Sequence, residues 1–156
     1  MGALHHDFFG LKADGSFVIG EYDLLEEISS DLVQACGGRG VILRDGQPYD
    51  ISYTEGGDDL GVNVHPRTAV GFRENGDLLI VVADGRQSGY SVGMNLVDLA
   101  QVFKSLGAVS ALNLDGGGSS TFVTKNADGS LSVKNKTSNS GGALRAVGDC
   151  LILTAA

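Results

Sequence analysis

The chain has 156 residues, a length that suits one domain. Hydrophobic residues make up 42% and charged residues 19%, which excludes a disordered chain; 24 glycines without a Gly-X-Y period exclude collagen and signal many tight turns. The net charge of -8 repels nucleic-acid phosphates and no basic stripe relieves it, so no nucleic-acid partner is expected and any anion site has to be built locally.

In chain order, residues 1–10 lack the apolar core of a signal peptide. A strand is expected at Phe17–Gly20, after the Asp14-Gly15 turn. Residues 22–36 read as a helix: Asp23 and Glu26 have capping-box spacing, Leu25, Ile28, Leu32 and Ala35 recur at helical intervals, and Gly37-Gly38 would end it. A strand at 41–43 turns at Asp45-Gly46. Residues 54–61 are the most linker-like stretch.

Strands at 68–72 and Leu78–Ala83 flank Glu74-Asn75-Gly76-Asp77, a hairpin signal. The second of them is apolar throughout, which suggests a central place in a sheet. A second helix begins at the Asn95/Asp98 cap, carries Leu96, Leu99, Phe103 and Leu106 on one stripe, and stops at Gly107. Strands follow at 109–114, 121–124 and 130–134, then a polar loop at 135–142 and a long closing strand at 144–154. The expected class is α+β: a mixed, mostly antiparallel sheet with about two packed helices in a single domain spanning 1–156. No apolar run reaches the roughly 18 residues that span a bilayer. Cys36 and Cys150 could pair, but their apolar neighbours suit small buried thiols, and the scarcity of cysteine favours the free form.

Chemistry-bearing residues gather where strands end, which is where sites are usually built. Asp115-Gly116-Gly117-Gly118-Ser119-Ser120 follows a strongly apolar strand. Three glycines let a backbone approach a ligand and aim N–H groups at an anion, with a carboxylate held at the lip. A plain glycine turn with Asp as its turn residue reads equally well. The Walker spacing and its lysine are absent. Asp84-Gly85-Arg86 offers a second carboxylate beside a guanidinium fork suited to phosphate, or again a simple turn. Arg67 and Arg145 are further guanidinium candidates, each also readable as a solvated strand residue. Of the three histidines, His5 and His6 are terminal and His65 stands alone before Pro66, so neither a Ser-His-Asp triad nor a His-rich metal site is expected. No cofactor is expected; an oxygen-ligated divalent cation such as calcium is compatible with Asp84 or Asp115.

The string Asn-Leu-Asp-Gly-Gly-Gly-Ser-Ser-Thr at 113–121 resembles the hallmark of the phosphodiester glycosidase family, which includes bacterial proteins associated with exopolysaccharide biosynthesis. Pro-Arg-Thr-Ala-Val-Gly (66–71) and Asp-Gly-Arg-Gln-Ser-Gly-Tyr-Ser-Val-Gly (84–93) resemble two further family segments, in the right order. The likeness is strong over 65–124 and weaker over 8–64 and 125–153. An opening Asn-Gly-Gly-x-Phe-like segment usual in the family is not found here, and Thr137, Asn139 and Leu144 replace its Pro, Asp and Glu near the end.

The resemblance implies a hydrolase that cleaves between a sugar's anomeric carbon and a phosphodiester, in an extracytoplasmic or secreted setting. It implies Asp115 as first carboxylate, Asp84 as second, and Arg67 as a catalytic guanidinium. Thr68, Arg86, Ser91, Asn113, Gly116, Gly117, Gly118, Ser119, Ser120, Thr121, Asn135 and Arg145 are the implied substrate-binding residues. A non-catalytic module that binds phosphoglycan is the rival reading, and a phosphoesterase that cuts P–O rather than C–O is a further one.

Overall fold

The computed structural model describes residues 7–49 and 59–154. Its elements are β1 (Asp7–Lys12), β2 (Phe17–Gly20), α1 (Tyr22–Ile28), β3 (Leu32–Gly38), β4 (Val41–Arg44), β5 (Gln47–Pro48), α2 (Asp59–Val62), β6 (Arg67–Arg73), β7 (Leu78–Ala83), α3 (Leu96–Ser105), β8 (Ala108–Asn113), β9 (Val123–Lys125) and β10 (Leu131–Val133). The strands form a five-stranded sheet ordered β5-β4-β8-β6-β7, a three-stranded sheet ordered β2-β1-β3, and the β9-β10 hairpin. Neighbouring strands pair antiparallel throughout, and α3 makes the crossover from β7 to β8. This is the expected α+β class.

Two apolar layers hold the fold. On one face of the large sheet, Leu96, Leu99, Ala100 and Phe103 of α3 pack against Ile42, Leu43, Ala69 and Ala111. On the other face, Phe9, Val41, Val70 and Leu112 meet between the two sheets. Phe103, Leu99 and Leu112 are fully buried, each worth about 1.5–3 kcal/mol on transfer from water. The α3 start is as read: Asn95 Oδ1 accepts from the Asp98 amide at 2.7 Å.

Five expectations change. The helix expected over 22–36 ends at Ile28; one 3₁₀ turn, Ser29–Asp31, leads into β3. The second half of that stretch pairs with β1, a strand for which local periodicity carries no sign. Gly38, expected as a helix stop, lies inside β3, where an added Cβ would sit 2.5 Å from Leu112. The β7 strand is at the sheet edge, not its centre. It is apolar because both its faces are covered: Leu79 and Val81 pack on the helix side, Leu78 and Ile80 on the inter-sheet side.

The closing strand expected at 144–154 has no β-pairing among the described residues, and Leu144, Ile152 and Leu153 are exposed. Apolar alternation marks β-propensity, but a strand exists only where another backbone accepts its ladder. Both cysteines are free; Cys36 is half-buried, whereas Cys150 is exposed rather than buried as expected. Of the linker-like stretch 54–61, residues 54–58 lie outside the described residues, and the last three fall in α2. Among the described residues no helix is long and apolar enough to cross a membrane.

Candidate active site

At the end of β8 the chain leaves the sheet as Leu114-Asp115-Gly116 and turns sharply through the single 3₁₀ turn Gly117–Ser119. A left-handed residue and a close approach shape the turn. Gly117 has a φ of 61°, the left-handed region that favours glycine. An added Cβ on Gly116 would lie 2.6 Å from the Pro66 carbonyl oxygen. The glycine run therefore lies flat against residues 66–67, which open β6.

A cavity of about 420 Å³ opens over this turn. Four of the chain's six arginines line it, Arg39, Arg67, Arg86 and Arg145, and the carboxylate among its lining residues is Asp115. In a protein of net charge -8, this is a local concentration of guanidinium groups of the kind an anion site would need. A larger cavity, about 490 Å³, lies at the opposite end of β8 beside Val109 and Ser110. Its guanidinium, Arg44, is paired with Glu21 at 2.9 Å. The smaller cavity is therefore the candidate site.

The expected site residues divide into two shells of position. Arg67, Arg86, Asn113, Asp115, Gly116, Gly117, Gly118 and Arg145 line the cavity. Thr68, Asp84, Ser91, Ser119, Ser120, Thr121 and Asn135 do not. Asp84 instead ties loops together behind the turn. It accepts from Asn135 Nδ2 at 3.0 Å, from the Lys136 amide at 3.0 Å and from the Tyr90 hydroxyl at 3.0 Å. Burial pushes the Asp84 carboxyl up, but these donors and the Lys136 charge together hold it below the usual carboxylate range. Asn135 also donates to the Ser120 carbonyl at 2.9 Å, and Ser91 donates to the Asp84 carbonyl at 2.7 Å.

Arg67 is buried, with 2% of its surface exposed. Its Nε donates to the Met94 carbonyl at 2.8 Å and its Nη2 to the Asn63 carbonyl at 3.0 Å. Much of this guanidinium therefore fastens the chain beneath the cavity.

The expected row of amides at 116–118 is partly taken up inside the protein. Gly116 N–H donates to Asp115 Oδ1 at 2.8 Å, and Gly117 N–H donates to the Pro66 carbonyl at 2.9 Å. The first of these bonds orients the exposed Asp115 carboxylate. The guanidinium groups of Arg39, Arg67, Arg86 and Arg145 are then the charged donors along the cavity. Asn113 is held from behind: its Nδ2 donates to the Arg39 carbonyl at 3.0 Å.

Two lining residues with polar side chains were not among those expected at the site. Arg39 sits in the Gly-Gly-Arg-Gly turn between β3 and β4, which a helix-stop reading conceals. His65 stands beside Pro66, and its Nδ1 lies 3.1 Å from Arg86 Nη2. Among the described residues no group of three or more His, Cys, Asp or Glu side chains is placed to hold a metal ion.

The phosphodiester glycosidase family model matches residues 2–154. N-acetylglucosamine-1-phosphodiester alpha-N-acetylglucosaminidase of Mus musculus is 35% identical over 135 residues, which are 78% of this chain and 26% of the relative. The Homo sapiens enzyme of the same name is 34% identical over 134 residues, with 78% of this chain and 26% of the relative covered. The SPbeta prophage-derived protein YomE of Bacillus subtilis (strain 168) is 38% identical over 100 residues, covering 60% of this chain and 15% of the relative. Among solved structures, the zebrafish N-acetylglucosamine-1-phosphodiester alpha-N-acetylglucosaminidase catalytic domain, auto-inhibited by its pro-peptide, superposes with a TM-score of 0.74 at 30% identity. That match covers 94% of this chain and 51% of the zebrafish chain. The chain spans about a quarter of the length of the mouse and human relatives.

Proposed function

Because the chain belongs to the phosphodiester glycosidase family, we propose that its cavity hydrolyses the bond between a sugar's anomeric carbon and a phosphodiester. One observation carries the proposal: guanidinium groups and the carboxylate of Asp115 line the same cavity, over the glycine turn. The two ends of the scissile bond need these two chemistries. Departure of the phosphate develops negative charge on its oxygens, and Arg39, Arg86 and Arg145 supply donors for it. The leaving group is a phosphate monoester whose second pKa is near ~6, so it departs with little protonation. The anomeric carbon becomes oxocarbenium-like, and the oriented carboxylate of Asp115 stabilises it.

Asp84 takes a different part from the second carboxylate expected of it. It positions the loops that carry Arg86 and Ser120, and Arg67 anchors the strand beneath them. The sugar proposed is N-acetylglucosamine, supported by the names of the mouse, human and zebrafish relatives. The extracytoplasmic setting that the family resemblance implies belongs to the same proposal.

The test is hydrolysis of the methyl diester of N-acetylglucosamine 1-phosphate in oxygen-18 water. Label recovered in the sugar supports C–O cleavage. Label in the phosphate points to a phosphoesterase, and binding without turnover to a recognition module.

A further inference from the structure

We infer that His65 is a positioning residue for Arg86: its ring nitrogen Nδ1 holds the guanidinium over the glycine turn before any anion arrives. The inference rests on the proposed function only for what the anion is.

The His65 backbone is fixed first. Pro66 restricts it to extended conformations. Its N–H donates to the Met94 carbonyl at 3.2 Å, and its own carbonyl accepts from the Met94 amide at 2.9 Å. Gly93, with a φ of 102°, packs its bare Cα directly on the His65 main chain, where a Cβ has no room. The ring therefore projects into the cavity wall from a rigid base.

Arg86 meets it there. Its Nη2 and Nε lie 3.1 and 3.4 Å from His65 Nδ1. Arginine only donates, so Nδ1 is the acceptor in this contact, which requires the tautomer with its proton on Nε2. The opposite side of the guanidinium rests on Gly117, where an added Cβ would lie 3.0 Å from Nη1. The fork is thus held between an imidazole edge and a glycine. One further observation supports a role for the side chain. Arg86 has a φ of 56°, a left-handed conformation that glycine adopts without steric cost and arginine does not. The remaining N–H groups of Arg86 stay available to an anion beside Arg39 and Arg145. Donors fixed in advance lose less freedom on binding, so the effect falls on affinity. The other charged groups that line this cavity are Arg39, Arg67, Arg145 and Asp115.

The alternative is that His65 works as an acid or base through Nε2. Side-chain geometry separates the two: an asparagine oxygen falls near the position of Nδ1, a glutamine oxygen near that of Nε2. We expect His65→Leu to weaken inorganic phosphate binding, followed by calorimetry, and to raise KM for the methyl diester, each by about tenfold, with kcat changed by less than about threefold. His65→Asn should restore most of the loss and His65→Gln should not. Combining His65→Leu with Arg86→Ala should cost no more than Arg86→Ala alone, because both remove the same donor. Rescue by glutamine instead of asparagine, additive losses in the double variant, or no phosphate binding by the unaltered chain would each overturn the inference. If His65→Leu does not fold, the asparagine and glutamine variants decide alone. Phosphate binding that follows this series without any hydrolysis of the diester would sink the proposed function and leave the inference standing.

Discussion

Asn135 and Asp84, 51 positions apart, meet at 3.0 Å and lock the loop after β7 to the loop after β10. The same Asn135 carboxamide reaches the Ser120 carbonyl, so one side chain joins three loops behind the glycine turn. That relationship gives Asp84, a carboxylate expected at the substrate, a set of loop-tying partners, and it makes Asp84 the first residue to test.

The folded carboxyl of Asp84 is held below the ordinary carboxylate value by its donors, so ionised Asp84 stabilises the fold at neutral pH. The contribution is present above the unfolded pKa, near ~3.9, and is lost as pH falls through the lower folded value. Asp84→Asn should lose about 1 kcal/mol at pH 7. The gap to the unaltered chain should close below about pH 4 in urea titrations. A gap that stays constant down to pH 3 would remove the ionic contribution.

Asp115 is exposed and its Oδ1 accepts from the Gly116 amide, so Asp115→Asn should keep the turn. Turnover of the methyl diester should fall by about 10³-fold or more, since the stabilising charge is lost in the transition state. The unfolding midpoint should not move. Near-normal turnover would take Asp115 out of the mechanism.

Arg86→Gly separates backbone from side chain. Glycine relieves the left-handed conformation but adds freedom to the unfolded chain, and the two effects nearly cancel. Stability should stay within about 1 kcal/mol of the unaltered chain. Phosphate binding should drop sharply. Chemical denaturation and calorimetry on one preparation check both halves.

Gly116 and Gly37 should respond oppositely to alanine. At Gly116 the new Cβ would lie 2.6 Å from the Pro66 carbonyl, which already accepts from Gly117 and cannot swing aside. Gly116→Ala should cost about 1–3 kcal/mol. It should also depress turnover, because the amide that orients Asp115 moves. At Gly37 an added Cβ meets nothing within 4 Å, so Gly37→Ala should stay within about 0.5 kcal/mol in thermal unfolding.

What was legible in the chain alone has a short range. The Asn95 cap, the Leu96, Leu99 and Phe103 part of the α3 stripe (its expected last member, Leu106, is exposed past the helix end), the β6–β7 hairpin turn and the glycine run after Asn113 are each defined within a few residues by periodicity or turn chemistry. The string at 113–121 was enough to point to the family, and the family match over residues 2–154 agrees with it.

Local rules also misled where they were strongest. Residues 32–36 keep a helical spacing, yet they pair with β1 some 25 positions earlier, because a strand bonded along its length and packed on Leu112 outweighs a helix of weak propensity. The amides at Gly116 and Gly117 looked available to a ligand, but their acceptors are Asp115 and Pro66, the second of which comes from a distant strand start.

By itself, then, the order of residues determined the turns, α3, the hairpin strands and the motif that marks the family. Tertiary structure alone decided which charged groups face one another. Asn113 finds the Arg39 carbonyl 74 positions away, Asp84 turns from the cavity to Asn135, and His65 meets Arg86 across 21 positions. The physical reason is reach: torsional preference and turn chemistry act over a few bonds, whereas a side chain's partner is chosen by the packing of whole sheets, which no short window of sequence contains.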